Sequence, residues 1–464
     1  MRNASIVLAL ALVVLSFSAV TEASAQENAP SSLIPPGRYE GSLNLGGGKV
    51  TPIVLRILED GGGLVDLPGQ SLYGFPLSGL VTSGGRIAFT MGADAADGSG
   101  GALRFDARVS DPSDPSGPLR LEGTFSRANA SGPFSLVWSP PPASDDQPFS
   151  VAVRGGRLRG SLLLPAGKGP FPLVVIVGGA GATDRDGNNY NVPGRNDGVK
   201  ALAAALRGLG VATCRYDKRG AGESYALEKS EADLSFDDYV DDAAALISRL
   251  RRDARFSRLV VAGHTEGGLV AASAVRRLSA GDGTASVAVD GLALLCASGR
   301  TPVEIVEASL ADAPAELKGE ARSIMDSLRA GKPWADPSPY FADFFRPSFQ
   351  PYLISWFRHD LKADIAAWKG ALLIVQGNAD FQVTLAEAAI LAQARPDAAA
   401  VVLPGMNHVL KEVPMELDEN YRSFSDPSYP LARGLAELLA AFAKGDPLPL
   451  GLSRFDGGIA RQGR

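Results

Sequence analysis

From Leu33 to Trp138 apolar and polar residues alternate in short runs: Gly37–Leu45, Val50–Leu58, Gly85–Thr90, Ala102–Val109, Leu119–Phe125 and Phe134–Trp138. Residues two apart share one face of a strand, so each run reads as a half-buried strand. Turns rich in Gly or Asp and Pro separate them, such as Asp60-Gly61-Gly62-Gly63 and Asp111-Pro112-Ser113-Asp114-Pro115. This spacing predicts a small antiparallel barrel or sandwich over residues 33–138. Residues 139–148, opening with Pro140-Pro141-Pro142, read as a stiff, extended linker.

From Phe149 the pattern changes. Continuous apolar runs at Phe171–Val177, Gly210–Arg215, Arg258–Ala262, Gly291–Cys296, Ala371–Val375 and Ala399–Leu403 read as strands buried on both faces. Between them lie helical stretches: Lys200–Leu209, Phe236–Arg251, Leu269–Leu278 and Leu385–Ala394. Ala432–Phe442 closes the series, with Leu435, Leu438, Leu439 and Phe442 on one face. Strand–helix alternation predicts an α/β domain over residues 149–445, a mostly parallel sheet with helices on both faces. Residues 300–369 interrupt it as an insertion, and residues 446–464 form a tail.

The N-terminus fits neither pattern. Arg2 precedes an apolar run, Ile6–Val20, and then Thr21-Glu22-Ala23-Ser24-Ala25. This reads as a signal peptide over residues 1–25, cleaved between Ala25 and Gln26, because the run is short for a membrane span. The expected location is secreted or periplasmic, with no stable membrane anchor after cleavage.

Composition narrows the chemistry. Forty-five Lys and Arg against 51 Asp and Glu give a net charge of −6, and with no basic cluster this argues against a nucleic-acid partner. Two cysteines exclude a disulfide scaffold and a thiolate zinc site. Cys214 and Cys296 fall on strands expected three spacings of about 4.8 Å apart, beyond the roughly 7 Å that a disulfide spans. Both are expected as free, buried thiols. The chain has three histidines, His264, His359 and His408, so few arrangements can supply a base.

The strongest motif is Val260-Val261-Ala262-Gly263-His264-Thr265-Glu266-Gly267-Gly268. A strand runs into a G-x-x-x-G turn and then a helix, the form of a nucleophile elbow. Thr265 holds the position where Ser is usual, and no G-x-S-x-G occurs elsewhere. Thr carries the same hydroxyl, but β-branching opposes the elbow's backbone angles. Two readings stay open: a Thr nucleophile, or an elbow retained for packing. Asp380, after the strand ending at Val375, is the expected acid. His408, after the strand ending at Leu403, is the expected base. The order nucleophile, acid, base is that of the α/β-hydrolase triad. His264 and His359 are expected in structural or surface roles. The small residues of Gly178–Ala182 suit an oxyanion loop, in which the N–H of Ala180 or Gly181 pairs with that of Glu266. Asp184, Asp186 and Asn188 form only part of a calcium loop, and no metal or cofactor is expected.

The inserted segment is aromatic: nine of the 24 residues from Trp334 to Phe357 are rings, so it is expected as a lid. Phe345, Phe349, Tyr352 and Trp356 are candidates for an apolar wall facing an acyl or aryl group. The alternative is that these rings fasten the lid to the body.

At these motifs the chain resembles bacterial secreted α/β-hydrolases of the serine aminopeptidase (S33-like) and esterase group. The resemblance runs through Gly181-Ala182-Thr183-Asp184-Arg185-Asp186-Gly187-Asn188, Arg215-Tyr216-Asp217-Lys218-Arg219-Gly220, Gln350–Phe357 and Met406–Lys411, and covers most of residues 150–445. It implies an α/β-hydrolase fold with an inserted helical lid and an N-terminal small antiparallel β domain. It also implies nucleophile–His–Asp hydrolysis of carboxylic esters or small amides, with a small-molecule ester or amide as partner. The alternatives are a catalytically impaired binding protein and an aminopeptidase-like peptidase.

Overall fold

The computed structural model describes residues 34–92, 102–110, 119–127, 130–140, 142–228, 230–280, 287–310, 314–449 and 453–454. The expected signal peptide lies outside them, as does most of the expected tail.

Eight antiparallel strands close into a barrel in chain order: β1 (Gly37–Asn44), β2 (Val50–Ile57), β3 (Gly63–Leu67), β4 (Leu72–Ser83), β5 (Arg86–Met91), β6 (Leu103–Val109), β7 (Arg120–Arg127) and β8 (Ala130–Ser139). Alternation fills it: Tyr39 and Leu43, Ile53 and Leu55, Phe105 and Ala107 point into one buried core. The sequence reading lacked β3 and β4. β3 is buried at every position, and β4 contains Gly74, Pro76 and Gly79, so neither shows a clean period of two.

The linker is shorter than expected. Strand β9 (Asp146–Val153) already includes Asp146, whose carboxylate is fixed by Arg215 at 2.6 Å, leaving residues 140–145 between the domains. The second sheet continues with β10 (Gly156–Leu163), β11 (Phe171–Val177), β12 (Ala212–Tyr216), β13 (Phe256–His264), β14 (Gly291–Leu295), β15 (Ala371–Gly377), β16 (Ala399–Leu403) and β17 (Ser453–Arg454). Its order is β9-β10-β12-β11-β13-β14-β15-β16-β17, parallel from β12 to β16. Period two splits each buried strand between two cores. On β11, Leu173, Val175 and Val177 enter one, and Val174 and Ile176 enter the other.

Helices α1 (Gly198–Gly208), α2 (Phe236–Arg251) and α3 (Glu266–Ala280) link the strands. Ser235 and Asp238 close a capping box at the start of α2. The insertion between β14 and β15 holds α4 (Pro302–Leu310), α5 (Lys318–Arg329), α6 (Gln350–Trp356) and α7 (Leu361–Ala367). Then come α8 (Leu385–Ala394), α9 (Leu417–Arg422) and α10 (Leu435–Lys444). α1 and α10 cover one face of the sheet, while α2, α3 and the insertion cover the other. Cys214 and Cys296 are free and buried, with β11 and β13 between their strands. Among the described residues no helix is long and apolar enough to cross a membrane.

Candidate active site

The sheet order reverses once among its parallel strands. From β11 the chain passes to β12 on one side and then returns to β13 on the other. Ligands of such sheets bind in the crevice outside the carboxyl ends of the strands at this reversal. A cavity of about 460 Å³ lies there, lined by residues that follow β11, β13, β14, β15 and β16.

Thr265 stands between β13 and α3 with φ of 51°, in the left-handed region. For a β-branched residue this strain costs on the order of 1–3 kcal/mol and must be held by its surroundings. Its N–H donates to the Leu295 carbonyl at 2.9 Å, and its own carbonyl accepts from Gly268 N–H at 2.9 Å. The flanking glycines are required by crowding: a Cβ on Gly263 would lie 2.3 Å from the Gly267 carbonyl oxygen, and one on Gly267 would lie 2.4 Å from that of Gly178. A Cβ on Gly179 would lie 2.8 Å from Thr265 Oγ1, so this glycine keeps the space before the hydroxyl open.

His408 Nδ1 meets the Asp380 carboxylate at 3.1 and 3.2 Å. Asp380 also accepts the N–H groups of Gln382 and Val383, both at 2.9 Å. Burial pushes its carboxyl up, but the charge and hydrogen bond of His408 outweigh this, and the net displacement is downward. Asp380 therefore stays ionised and orients the ring. Asn407 braces the His408 loop, accepting from Lys411 N–H at 3.0 Å and donating to Ser423 Oγ at 2.7 Å. Among the described contacts none joins His408 Nε2 to Thr265 Oγ1, although both residues line the cavity.

His264 has the structural role expected of it, but it performs that role at the cavity. It lines the cavity, and its Nε2 bonds the His408 carbonyl at 2.7 Å. Burial, and then the His408 charge, pull its pKa down to about 4. A neutral ring facing a carbonyl must carry its proton on Nε2, so His264 donates and pins the loop that carries His408.

Of the two expected oxyanion donors after β11, Ala180 lines the cavity and Gly181 does not. Gly181 turns its carbonyl to Thr183 N–H at 2.9 Å, which points the loop away. The Ala180 N–H has no partner among the described hydrogen bonds. Glu266 is the first residue of α3, so its N–H is free of the helix. Lys218 ties these two points together and carried no role in the sequence reading. Its Nζ donates to the Gly179 carbonyl at 2.8 Å and to Glu266 Oε1 at 3.1 Å, and it lies 4.0 Å from the Tyr239 ring centre. A peptide's C=O and N–H point in opposite directions, so holding the Gly179 carbonyl aims the Ala180 N–H the other way. Burial pulls the Lys218 ammonium down, and Glu266 opposes this.

The aromatic wall needs correction. Of its four candidates only Trp356 lines the cavity. Phe345, Phe349 and Tyr352 are buried in the core beneath the lid, with Phe349 and Tyr352 stacked at 5.1 Å. They fasten the lid, and the Tyr352 hydroxyl donates to Glu266 Oε2 at 2.8 Å. The apolar lining comes instead from Leu269, Ile305, Leu361, Val383 and Val409. His359 fastens the lid too: Nδ1 meets Ser273 Oγ at 3.1 Å and Nε2 meets Asp237 Oδ1 at 3.2 Å. Ser273 gives its proton to Asp364 at 2.6 Å, and neither Ser273 nor His359 lines the cavity, so this second Ser–His–Asp contact is no nucleophile.

Asp184 has an inward task. Its Oδ1 accepts from the N–H groups of Asp186 at 2.9 Å and Asn188 at 2.8 Å. Asp217 holds Arg185, accepting its backbone N–H at 2.8 Å. Arg219 pairs with Asp242 at 2.7 Å. Among the described residues no group of three or more His, Cys, Asp or Glu could hold a metal ion.

Residues 195–322 match the family described as serine aminopeptidase, S33. A stretch of 161 residues is 28% identical to the esterase EstD of Thermotoga maritima, covering 34% of this chain and 34% of that one. The match thus spans about a third of the length of this curated relative. Similar solved structures include Est1E from Butyrivibrio proteoclasticus with ferulic acid bound (18% identity, TM-score 0.43, 64% of this chain and 96% of that one). Another is the esterase domain of a Rhodothermus marinus protein (17% identity, TM-score 0.38, 65% of this chain and 99% of that one). The strand order and the strand-end cavity give the second domain an α/β-hydrolase fold, within which residues 195–322 are similar to the serine aminopeptidase S33 family.

Proposed function

We propose that this chain is an exported hydrolase of carboxylic esters, with small amides as the related substrate class, and that Thr265 is its nucleophile. The observation that carries the reading is the Asp380–His408 pair beside a cavity that Thr265, Ala180 and Glu266 also line. Thr265 Oγ1 attacks the ester carbonyl carbon while His408 Nε2 takes its proton. The Ala180 and Glu266 N–H groups hold the oxyanion. Collapse expels the alcohol, which leaves with the proton from His408. His408 then deprotonates a water that attacks the acyl-Thr265 carbonyl, releasing the acid and restoring the hydroxyl.

A second reading, a binding protein that retains the cavity, is favoured by one observation. The Thr265 hydroxyl has no described hydrogen bond to His408, on a backbone strained by β-branching. Three proteins separate the two: native, Thr265→Ala and Thr265→Ser, assayed on a short-chain nitrophenyl ester. The hydrolase reading expects Thr265→Ala to lose at least about a hundredfold in kcat and Thr265→Ser to exceed native. Equal rates for native and Thr265→Ala, with a gain only in Thr265→Ser, support the binding reading.

A further inference from the structure

The cavity's polar groups are not equally occupied. Its two carboxylates are spent. Glu266 accepts from Lys218 and Tyr352. Glu387 accepts from Ser298 Oγ at 2.8 Å, Gly299 N–H at 2.9 Å, Arg300 N–H at 3.1 Å and Arg300 Nε at 2.6 Å. Arg300 is the reverse case. It lines the cavity just past β14, and Nε is its one side-chain nitrogen with a described partner. Its Nη1 and Nη2 groups carry four N–H bonds with no described acceptor.

The geometry is that of a prepared fork. Glu387 is buried on α8 and fixes both the backbone and the Nε edge of Arg300, so the guanidinium loses little further freedom when it binds. The edge left over, Nη1 with Nη2, matches the two oxygens of a carboxylate. The Glu387 charge is shared with two backbone N–H groups and a hydroxyl, so Arg300 is not fully neutralised by it.

We infer that Arg300 is a carboxylate-recognition point of this cavity, which therefore prefers esters or small amides bearing a second, ionised carboxylate. The substrate part of this inference rests on the hydrolase reading, but the binding part does not.

The test therefore reads binding first. 4-Hydroxybenzoate and 4-hydroxybenzamide are titrated into the native full chain by calorimetry, and monomethyl adipate and methyl hexanoate form a second, aliphatic pair. Arg300→Gln is compared with native. Because it leaves buried Glu387 short of a partner, the double variant Arg300→Gln/Glu387→Gln, which removes both charges, carries the test if the single variant does not fold. The expected result is about tenfold or more tighter binding of the anion in at least one pair, weakened by salt and abolished in the variant. Equal affinities in both pairs, or a preference that survives in the folded variant, overturn it. Anion preference without hydrolysis of either methyl ester by the native chain refutes the hydrolase reading alone.

Discussion

Lys218 is 1% exposed, and an ammonium so placed is costly unless every donor is used. Its bonds to Gly179 and Glu266 join the two segments that carry the proposed oxyanion donors, which makes it a positioning residue in the proposed mechanism. Lys218→Met is expected to lower kcat on the nitrophenyl ester about 10- to 100-fold, or about 1.4–2.8 kcal/mol. KM should change less, because the loss falls on the transition state, and Lys218→Arg should recover part of the rate. A loss in KM alone would assign Lys218 to substrate binding. Residues of this kind divide the site into what the chain spells out and what it hides. The strand-end positions of Thr265, Asp380 and His408 were legible because each follows a buried apolar run where a loop must begin. Lys218 was not, since a charge between Asp217 and Arg219 reads as a solvated turn. Nothing local says that it is folded under the loop. Gly181 and Ala180 were indistinguishable in sequence, because the choice depends on which way one peptide faces.

At the scale of elements, the insertion is held by its junctions. His359 lies between α6 and α7, bridging Asp237 on α2 and Ser273 on α3, while Trp356 and Leu361 on either side of it line the cavity. His359→Ala removes two hydrogen bonds at a nearly closed site, at an expected cost of about 1–3 kcal/mol. It should lower the melting temperature and raise KM for the ester more than it lowers kcat. Unchanged melting with unchanged KM would show that other contacts hold the lid. The aromatic content of the insertion was plain in the sequence, but its direction was not. Four rings can line a cavity or pack beneath it, and the choice follows from helix phases that residues 300–369 do not disclose by periodicity. The buried strands were the most legible elements: β11 and β16 have the expected bounds because their runs are continuous and bounded by turns. β9 escaped notice because it is an edge strand with no buried position, and β10 because it opens with Arg157 and Arg159 and carries Gly156 and Gly160.

At the scale of the molecule, the barrel braces the loop that forms one wall of the cavity. The Ser71 carbonyl accepts from Gly194 N–H at 2.6 Å, and Phe75 meets Tyr190 edge-on at 5.6 Å. Val192 and Asn196 of the same loop line the cavity. The segment 222–234 is a second tie. The Tyr225 hydroxyl accepts from Gly63 N–H of the barrel at 3.1 Å, and Glu231 binds the lid through Arg346 at 2.8 Å. Within it Glu228 is half-buried, with its Oε2 atom buried and unpartnered, and desolvation, then the charge of Glu231, raises its pKa to about 8. The folded state therefore keeps a proton that the unfolded chain has lost above about pH 4.5, and stability falls as pH rises through about 8. Glu228→Gln removes this term: the variant should melt several degrees above native at pH 9 and level with it near pH 4. His264 titrates in the opposite sense but is present in both proteins, so it cancels. Equal melting at both pH values would contradict the burial of this carboxyl. That the barrel belongs to the site could not be read from residues 33–138, which hold no His and no Cys. Its role lies in contacts across more than a hundred residues of chain.

In the proposed mechanism the Thr265 hydroxyl, strained as it is, acts as a nucleophile driven by His408. A fluorophosphonate tests this directly, since attack forms a Thr265 Oγ1–phosphorus bond with loss of fluoride. After exposure of the native chain, intact mass and peptide mapping should show one adduct, on the peptide containing Thr265. Labelling should be absent in Thr265→Ala and strongly slowed in His408→Ala. No adduct on the native chain while Thr265→Ser labels readily, or an adduct on another residue, would contradict it.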